Sequence, residues 1–473
     1  ILILAFALRF YSLVAVPNGL NNDETAIGYN AYSIGQTGRD EYGSFMPVYF
    51  RSFDDYKLPA YVYMTTVTEK IFGVNAFAVR FSSMLFGVLT VLFIFILVKQ
   101  LSNRSDLALI TSFFLAINPW HIFFSRIGSE VNVATAFLVM GVMFFIVALK
   151  QKVNYNLLFF SVVSFALSIY SYNVARIISL LILIMLVGIN FKVISKISRS
   201  KLVAIGMFGL VLLLPLLLTL VSHSGLANQK GVLIFGFITQ SEILEFRSYF
   251  SNLPSLYSKL FINSWILIIL QYLRNLFGFF SLDFFFIKGA SHPINGVGNF
   301  GMFYFIELPF IITGLVMGIK NRVEYLKPIY LWIIIVVLIS SLTVEVPHAT
   351  RSYMIIVPMV ILSAYGCSCI VNYLAQKRKI IVYPILGVSA ALFLYLIINF
   401  LSSYFIYFPI RYAKTWREED SRVISYVKSN KNDYRKFVFG KNADFAYTSF
   451  LFYMQYPPAQ YQKDAIYKKD GLL

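Results

Sequence analysis

The chain is poor in charge. Of its 473 residues only 13% are Asp, Glu, Lys or Arg, about half the share usual in a soluble domain. Negative charge is scarcer still, with 22 Asp and Glu against 40 Lys and Arg, a net charge of +18. Cysteine is nearly absent. Cys367 and Cys369 stand two residues apart in one apolar segment, a spacing that keeps them from facing each other on a helix. They read as packing residues, with no disulfide or metal role. The phosphate-loop pattern GxxxxGK[ST] is missing, as are HExxH, GxSxG and CxxC. Nucleotide hydrolysis, zinc proteolysis and serine hydrolysis therefore have no motif to rest on. Internal repeats and low-complexity linkers are also lacking.

What fills the chain is apolar. Hydrophobic residues make up 58%, Phe and Tyr number 47 and 32, and the mean hydropathy is +0.71. This composition reads as an all-α polytopic membrane protein. Eleven stretches approach the roughly 20 apolar residues that a span needs: 1–16, cut short, then 79–98, 106–123, 131–149, 156–172, 174–191, 203–222, 300–319, 328–344, 353–373 and 380–401. The chain starts within the first of these, so a short basic N-terminus is expected before it, and the first span reads as an anchor rather than a cleaved signal.

The excess of Lys and Arg collects in short loops after the even-numbered spans: Lys99 and Arg104; Lys150 and Lys152; Lys192, Lys196, Arg199 and Lys201; Lys320, Arg322 and Lys327; Lys377, Arg378 and Lys379. These loops are expected in the cytoplasm, and the net charge reflects this rule rather than nucleic-acid binding. Of the 22 carboxylates only Asp106 and Glu324 fall on that side, leaving 22 − 2 = 20 on the outer side. The membrane domain is predicted over 1–401, with outer loops at 17–78 and 223–299. Residues 262–287 are long enough to cross, but Arg274 and Asp283 interrupt them and a crossing would turn the basic loop at 320–327 outward. They are expected to lie in the interface or re-enter. From 402 to 473 the character changes to a small extracytoplasmic α/β tail, cut short, with an amphipathic helix in REEDSRVISYVKSN, a strand in KFVFG and a helix in SFLFYMQYPPAQY.

The outer ends of the spans carry four polar clusters. The first loop opens with NNDET, holding Asp23 and Glu24, and closes with FDDYKLPAYVY, holding Asp54, Asp55, Lys57 and Tyr61. Then come NPWHIFFSRIGSEVN with His121, Arg126 and Glu130, YSYNVAR with Tyr172 and Arg176, and VEVPHATRSY with His348 and Arg351. Charges at span ends inside a bundle are functional candidates, commonly paired. Carboxylates on one wall and Arg or Lys on the other suit a phosphate and a general base. Each also has an ordinary reading. Asp23 and Glu24 suit helix capping, Lys57 suits snorkelling, and Arg126 and Glu130 suit an i,i+4 ion pair. Asp54 and Asp55 suit a solvated face, and His121 suits an interface position.

These elements, in order, resemble one family. The DE pair, the Lys57-Leu58-Pro59-Ala60-Tyr61 loop end, FGVNAFAVRFSSMLFGVLTV, SRIGSE, YSYNVAR, HATRSYMIIVPMVILSAYG and FLFYMQYPPAQYQ are together similar to GT-C class integral-membrane glycosyltransferases. The nearest are of the family 39 type, relatives of protein O-mannosyltransferases and lipid A aminoarabinose transferases. The resemblance implies transfer of a sugar, with inversion, from a polyprenyl-phosphate donor to a lipid, protein or glycan acceptor at the outer face of a prokaryotic plasma membrane. It implies Asp23, with Glu24 beside it, and Glu130 as catalytic carboxylates. It implies Lys57 at the donor phosphate; the polar clusters add Arg126, Arg176 and Arg351 as phosphate candidates, and Asp55, Tyr61, Tyr172, His348 and His292 as candidates to line the substrate. The family tends to place Glu directly before the lysine. This chain has Tyr56 there, with Asp55 one further back, which puts a metal site built on that glutamate in doubt and leaves Mg²⁺, Mn²⁺ or no metal open. Two alternatives share the architecture or the ligand: a flippase or other secondary transporter of polyprenyl-linked sugars, and an oligosaccharide ligase or polymerase.

Overall fold

A computed structural model of the chain describes residues 1–52, 55–150, 152–220, 233–237, 240–249, 255–438 and 447–464. The fold is a helical bundle. Helix α1 (Leu2–Phe10) leads through a turn-rich connector into α2 (Asn22–Thr37). A short antiparallel hairpin follows, β1 (Phe50–Ser52) with β2 (Asp55–Lys57), then α3 (Pro59–Phe72). Next come α4 (Ala76–Ser102), α5 (Ser105–Ile117), α6 (Pro119–Ser125), α7 (Glu130–Leu149), α8 (Tyr155–Ser171) and α9 (Asn173–Ile189).

Each of the eleven expected segments contains a helix. Among the described residues, five helices are long and apolar enough to cross a membrane: Ala76–Ser102, Glu130–Leu149, Arg199–Thr219, Tyr353–Ala375 and Val382–Arg411. The α5–α6 pair makes a sixth if counted as one bent span, with a bend of 60°. The bend has a local cause. Pro119 cannot donate into the turn before it, and the Asn118 side chain starts a new helix by accepting the His121 N–H at 3.0 Å. The protein is multi-pass, and eleven spans remain the sequence's expectation. Helix Ser264–Gly278 has 15 residues, too short to cross upright. It exposes Trp265 and Phe277 and buries Asn275. Asn275 Nδ2 donates to the carbonyls of Ser341 and Thr343.

The helical part of the expected C-terminal tail is present among the described residues. Its described elements are helices, Glu418–Ser429, Tyr447–Met454 and Pro458–Asp464. Lys436, Phe437 and Val438, expected in a strand, have no regular structure, and the rest of that expected strand lies outside the described residues.

Small residues bring two helices of the bundle together. Helices Glu307–Lys320 and Ile356–Ala375 cross where Gly314 and Gly366 meet. A Cβ on Gly366 would lie 1.8 Å from the Phe310 carbonyl oxygen, and one on Gly314 2.1 Å from that of Leu362. Backbones in such contact cannot admit a side chain without parting. Gly366→Val is therefore expected to lower thermal stability in detergent by about 1–3 kcal/mol through overpacking, while a melting curve matching wild type would contradict it.

Candidate active site

The connector between α1 and α2 is irregular backbone inside an apolar protein. Its carbonyls need partners, because unpaired backbone polar groups against apolar side chains are costly. Two fully buried arginines supply them. Arg80 Nη1 donates to the carbonyls of Leu13 and Pro17 at 3.0 and 2.8 Å, and Nη2 to Gly19 at 2.6 Å. Arg126 donates to the carbonyls of Leu8, Arg9, Ser12 and Val16, each at 3.0 Å. A third, Arg9, donates to Ala5, Leu115 and Ala116 and to His121 Nδ1.

The start of α2 is locked from three directions. Asn21 and Glu24 form a capping box, in which Asn21 Oδ1 accepts the Glu24 N–H at 2.9 Å and Glu24 Oε2 accepts the Asn21 N–H at 3.2 Å. The same carboxylate takes Arg80 Nε on Oε1 at 2.8 Å and Arg80 Nη2 on Oε2 at 3.1 Å. Gly128 N–H donates to Oε1 at 2.8 Å. Four donors occupy a carboxylate that is 0% exposed, which fills its acceptor sites.

Asp23 lies in the same turn with the opposite outlook. Its side chain is 61% exposed, and Lys57 Nζ stands 2.9 Å from Oδ1. The Lys57 ammonium, itself nearly buried, holds the Asp23 carboxyl below its usual range; partial desolvation works against it. Both residues line a cleft whose roughly 450 Å³ of empty space includes its opening to solvent. Glu130 and Tyr172 line it too, from the starts of α7 and α9, as do Asn21, Ser129, Asn295 and Thr350. The cavity thus joins six segments far apart in sequence, around Asp23, Lys57, Glu130, Tyr172, Asn295 and Thr350. It places two carboxylates, one ammonium and several neutral donors around a space fit for a small polar ligand.

The fold recurs in solved structures. The fold matches the crystal structure of ArnT from Cupriavidus metallidurans bound to undecaprenyl phosphate, with a TM-score of 0.57 over 96% of this chain and 84% of that one, at 12% identity. The chain has the GT-C glycosyltransferase fold. A family model described as dolichyl-phosphate-mannose-protein mannosyltransferase matches residues 57–219. That stretch runs from Lys57 almost to the end of helix Arg199–Leu220. The fold also matches the oligosaccharyltransferase AglB of Archaeoglobus fulgidus in complex with an inhibitory peptide and a dolichol-phosphate. There the TM-score is 0.51 at 13% identity over 96% of this chain and 62% of that one. No curated protein matches the sequence.

Several expected site residues of this GT-C chain stand elsewhere. Glu24, expected beside Asp23 as a catalytic carboxylate, is turned into the protein and saturated as described. Arg126, expected at a phosphate, is 0% exposed and committed to four carbonyls, with its guanidinium carbon 4.6 Å from the Phe405 ring centre. Tyr61, expected to line substrate, is 0% exposed and donates to the Val79 carbonyl at 2.8 Å. His121, expected at an interface, is interior beside Arg9. Arg351 donates to the Val344 carbonyl and accepts Ser340 Oγ on its own, closing the loop before helix Ile356–Ala375. His348 accepts the Thr350 N–H at 3.2 Å. Burial and then Arg351 hold its imidazole down to about 4, so it is neutral at pH 7 and no phosphate cation. His292 is exposed and accepts the Ile294 N–H at 3.3 Å. Arg176, one turn past Tyr172, stacks 5.0 Å from the Tyr49 ring centre, with Nε and Nη2 buried and without hydrogen-bond partners. Asp55 begins β2; its side chain and all of Asp54 lie outside the described residues.

The sequence reading passed over Arg80, Asn21, Asn295 and Thr350. Arg80 carried a signal: it is an arginine inside the apolar run AFAVRFSS, where a lone charge needs a partner. The neutral residues carried none. Among the described residues, no group of three or more His, Cys, Asp or Glu is arranged to hold a metal ion. The cavity's own donors do not suit a divalent cation either, since Asp23 is paired with Lys57.

Proposed function

We propose that the chain is an inverting glycosyltransferase that moves a sugar from a polyprenyl-phosphate donor to an acceptor hydroxyl at the extracytoplasmic face of a prokaryotic plasma membrane. The observation that carries this reading is the Asp23–Lys57 pair in the cavity shared with Glu130. It sets a proton acceptor and a cation side by side, as a transfer from phosphate requires. The acceptor oxygen attacks the anomeric carbon and its bond forms as the carbon–phosphate oxygen bond breaks. The hydroxyl proton passes to Asp23, and the electron pair leaves on the phosphate.

Lys57 then has two charges to serve. In the free enzyme it holds Asp23. When the donor phosphate arrives, the ammonium turns toward the more highly charged group, and Asp23 regains basicity as its counter-charge leaves. Arg176 offers a second cation one turn beyond the cavity wall at Tyr172, and a guanidinium suits a phosphate fork. Glu130 is placed to orient the acceptor. One displacement needs no covalent enzyme intermediate, unlike a retaining glycosidase. The ArnT structure holds undecaprenyl phosphate and the AglB structure a dolichol-phosphate, which supports a carrier of that class here. The side that holds 20 of 22 carboxylates supports the outward orientation.

The test is incubation of membranes with a panel of polyprenyl-phosphate sugars, with products read by mass spectrometry. Transfer to an endogenous or added acceptor is expected. Movement of intact donor across sealed vesicles without transfer would replace the reading with a transporter.

Lys57→Met carries its own signature. Asp23 acts deprotonated, and Lys57 keeps its carboxyl below the usual range. Removing the cation is expected to lower kcat/KM by about 10²-fold, the loss of one preplaced stabilising group. It should also shift the acid limb of the pH profile upward, so that activity fails at a higher pH as acid is added. An unmoved limb would separate Asp23 from the reaction's proton.

A further inference from the structure

The C-terminal helices are not accounted for by the cavity, yet they touch the helix that carries Asp23 at two points. Near its start, Gly19 adopts φ +88°, and a Cβ there would lie 2.2 Å from the Trp416 carbonyl oxygen. Only glycine combines that backbone with that approach. Further along, Phe452 sits on Gly28 so closely that a Cβ would lie 2.4 and 2.7 Å from its ring carbons and 3.0 Å from Val79. Phe452 is 2% exposed and shares a cluster with Leu20, Tyr29, Val79 and Leu451.

Polar contacts run along the same seam. Thr25 and Thr448 hydroxyls are 2.9 Å apart, and Tyr29 donates to the Tyr456 carbonyl at 3.2 Å. Tyr447 donates to Glu41 at 3.3 Å, and Gln462 Nε2 donates to the Asp40 carbonyl at 2.8 Å.

Gly28 lies four residues after Glu24, one turn along the same helix face. Val79, which touches the Gly28 position, would also meet a Cβ at Gly128, 3.3 Å away, and is next in sequence to Arg80. A side chain removed at Phe452 therefore loosens α2 beside the contacts that aim its first turn.

We propose that the C-terminal segment is a positioning element for the transfer reaction, with Phe452 on Gly28 and Trp416 at Gly19 clamping the helix that presents Asp23 to the cavity. The proposal rests on the reading of Asp23 as the proton acceptor. Phe452 touches no reacting atom. It acts through the orientation of Asp23 against Lys57, and a displacement of about 1 Å at such a group costs on the order of 10²-fold in rate.

The test uses the full chain in lipid nanodiscs, assayed with the polyprenyl-phosphate sugar identified by the panel. Phe452→Ala is expected to lower kcat per folded molecule tenfold or more, with the KM for donor within twofold. It should also shift the acid limb of the kcat profile. Phe452→Leu, which refills part of the seat, should recover much of the rate. Gly28→Val alone should be impaired, and Gly28→Val with Phe452→Ala should be faster than either, because the new side chain occupies the vacated space. Unchanged kcat per folded molecule in Phe452→Ala would overturn the proposal. So would a loss confined to KM, or one matched by the loss of folded protein. Asp23→Asn, run alongside, separates the two readings: an active Asp23→Asn removes the base assignment, whereas an inactive one with a wild-type Phe452→Ala removes only the clamp.

Discussion

Asp23→Asn is expected to reduce sugar transfer by about 10³-fold, the middle of the range for losing a general base, while the protein inserts, purifies and melts like wild type. The substitution is nearly isosteric. Asp23 is 61% exposed and, among the described residues, is ion-paired with Lys57, so the amide itself is solvated and still offers Lys57 an oxygen. The capping box survives, because Asn21 and Glu24 make it without Asp23. The lost capacity is therefore chemical. An amide oxygen can accept a hydrogen bond from the incoming hydroxyl but cannot take its proton at neutral pH. Transfer is measured by product mass, and folding by gel filtration and thermal unfolding in detergent. Transfer at the wild-type rate would remove Asp23 from the mechanism. A variant that fails to fold would make the residue part of the scaffold instead.

Arg80→Met is expected to have the largest structural effect. The methionine keeps the apolar stem and removes every donor. Glu24 would remain charged at 0% exposure with half of its partners gone, and the Leu13, Pro17 and Gly19 carbonyls would lose theirs. Breaking a buried pair by removing one member costs about 3–5 kcal/mol, a large part of the 5–15 kcal/mol that typically separates folded from unfolded. The expected result is little monodisperse protein and a sharply lowered melting temperature. Arg80→Lys should also fail, because one ammonium cannot reach a carboxylate and three carbonyls held in a fork's geometry. Adding Glu24→Gln to Arg80→Met should recover part of the loss by neutralising the stranded charge. A singly substituted Arg80→Met protein that melts like wild type would sink this account.

These two residues mark how far the sequence could be read. The carboxylates, cations and aromatics at span ends were visible as clusters, and Asp23, Lys57, Glu130 and Tyr172 do meet around one cavity. The direction of a side chain was not visible. Asp23 and Glu24 are adjacent, and a helix turns about 100° per residue, which sends one to the cavity and the other to Arg80. Arg126 follows the short α6, whose bend at Pro119 turns it toward the carbonyls of the α1 connector. The need of those carbonyls for donors could not be foreseen, since residues 11–16 continue the apolar run of the first expected span and read as helix. Of the strand expected at 436–440, Lys436, Phe437 and Val438 have no regular structure, and the rest lies outside the described residues. Asn295 and Thr350 are neutral residues in loops, and only the folded chain brings them together, with Thr350 Oγ1 3.3 Å from Asn295 Oδ1.

Glu24 holds together the start of α2 at Asn21 and Gly128, itself 104 residues further along the chain than Glu24, through a single carboxylate. The amide protons of Asn21 and Gly128 are consequently tied to the same event. Neither can exchange with solvent until the Glu24 cluster lets go, and Arg80 cannot let go without freeing both. The first loop and the turn before α7 thus open as one unit rather than by separate fraying.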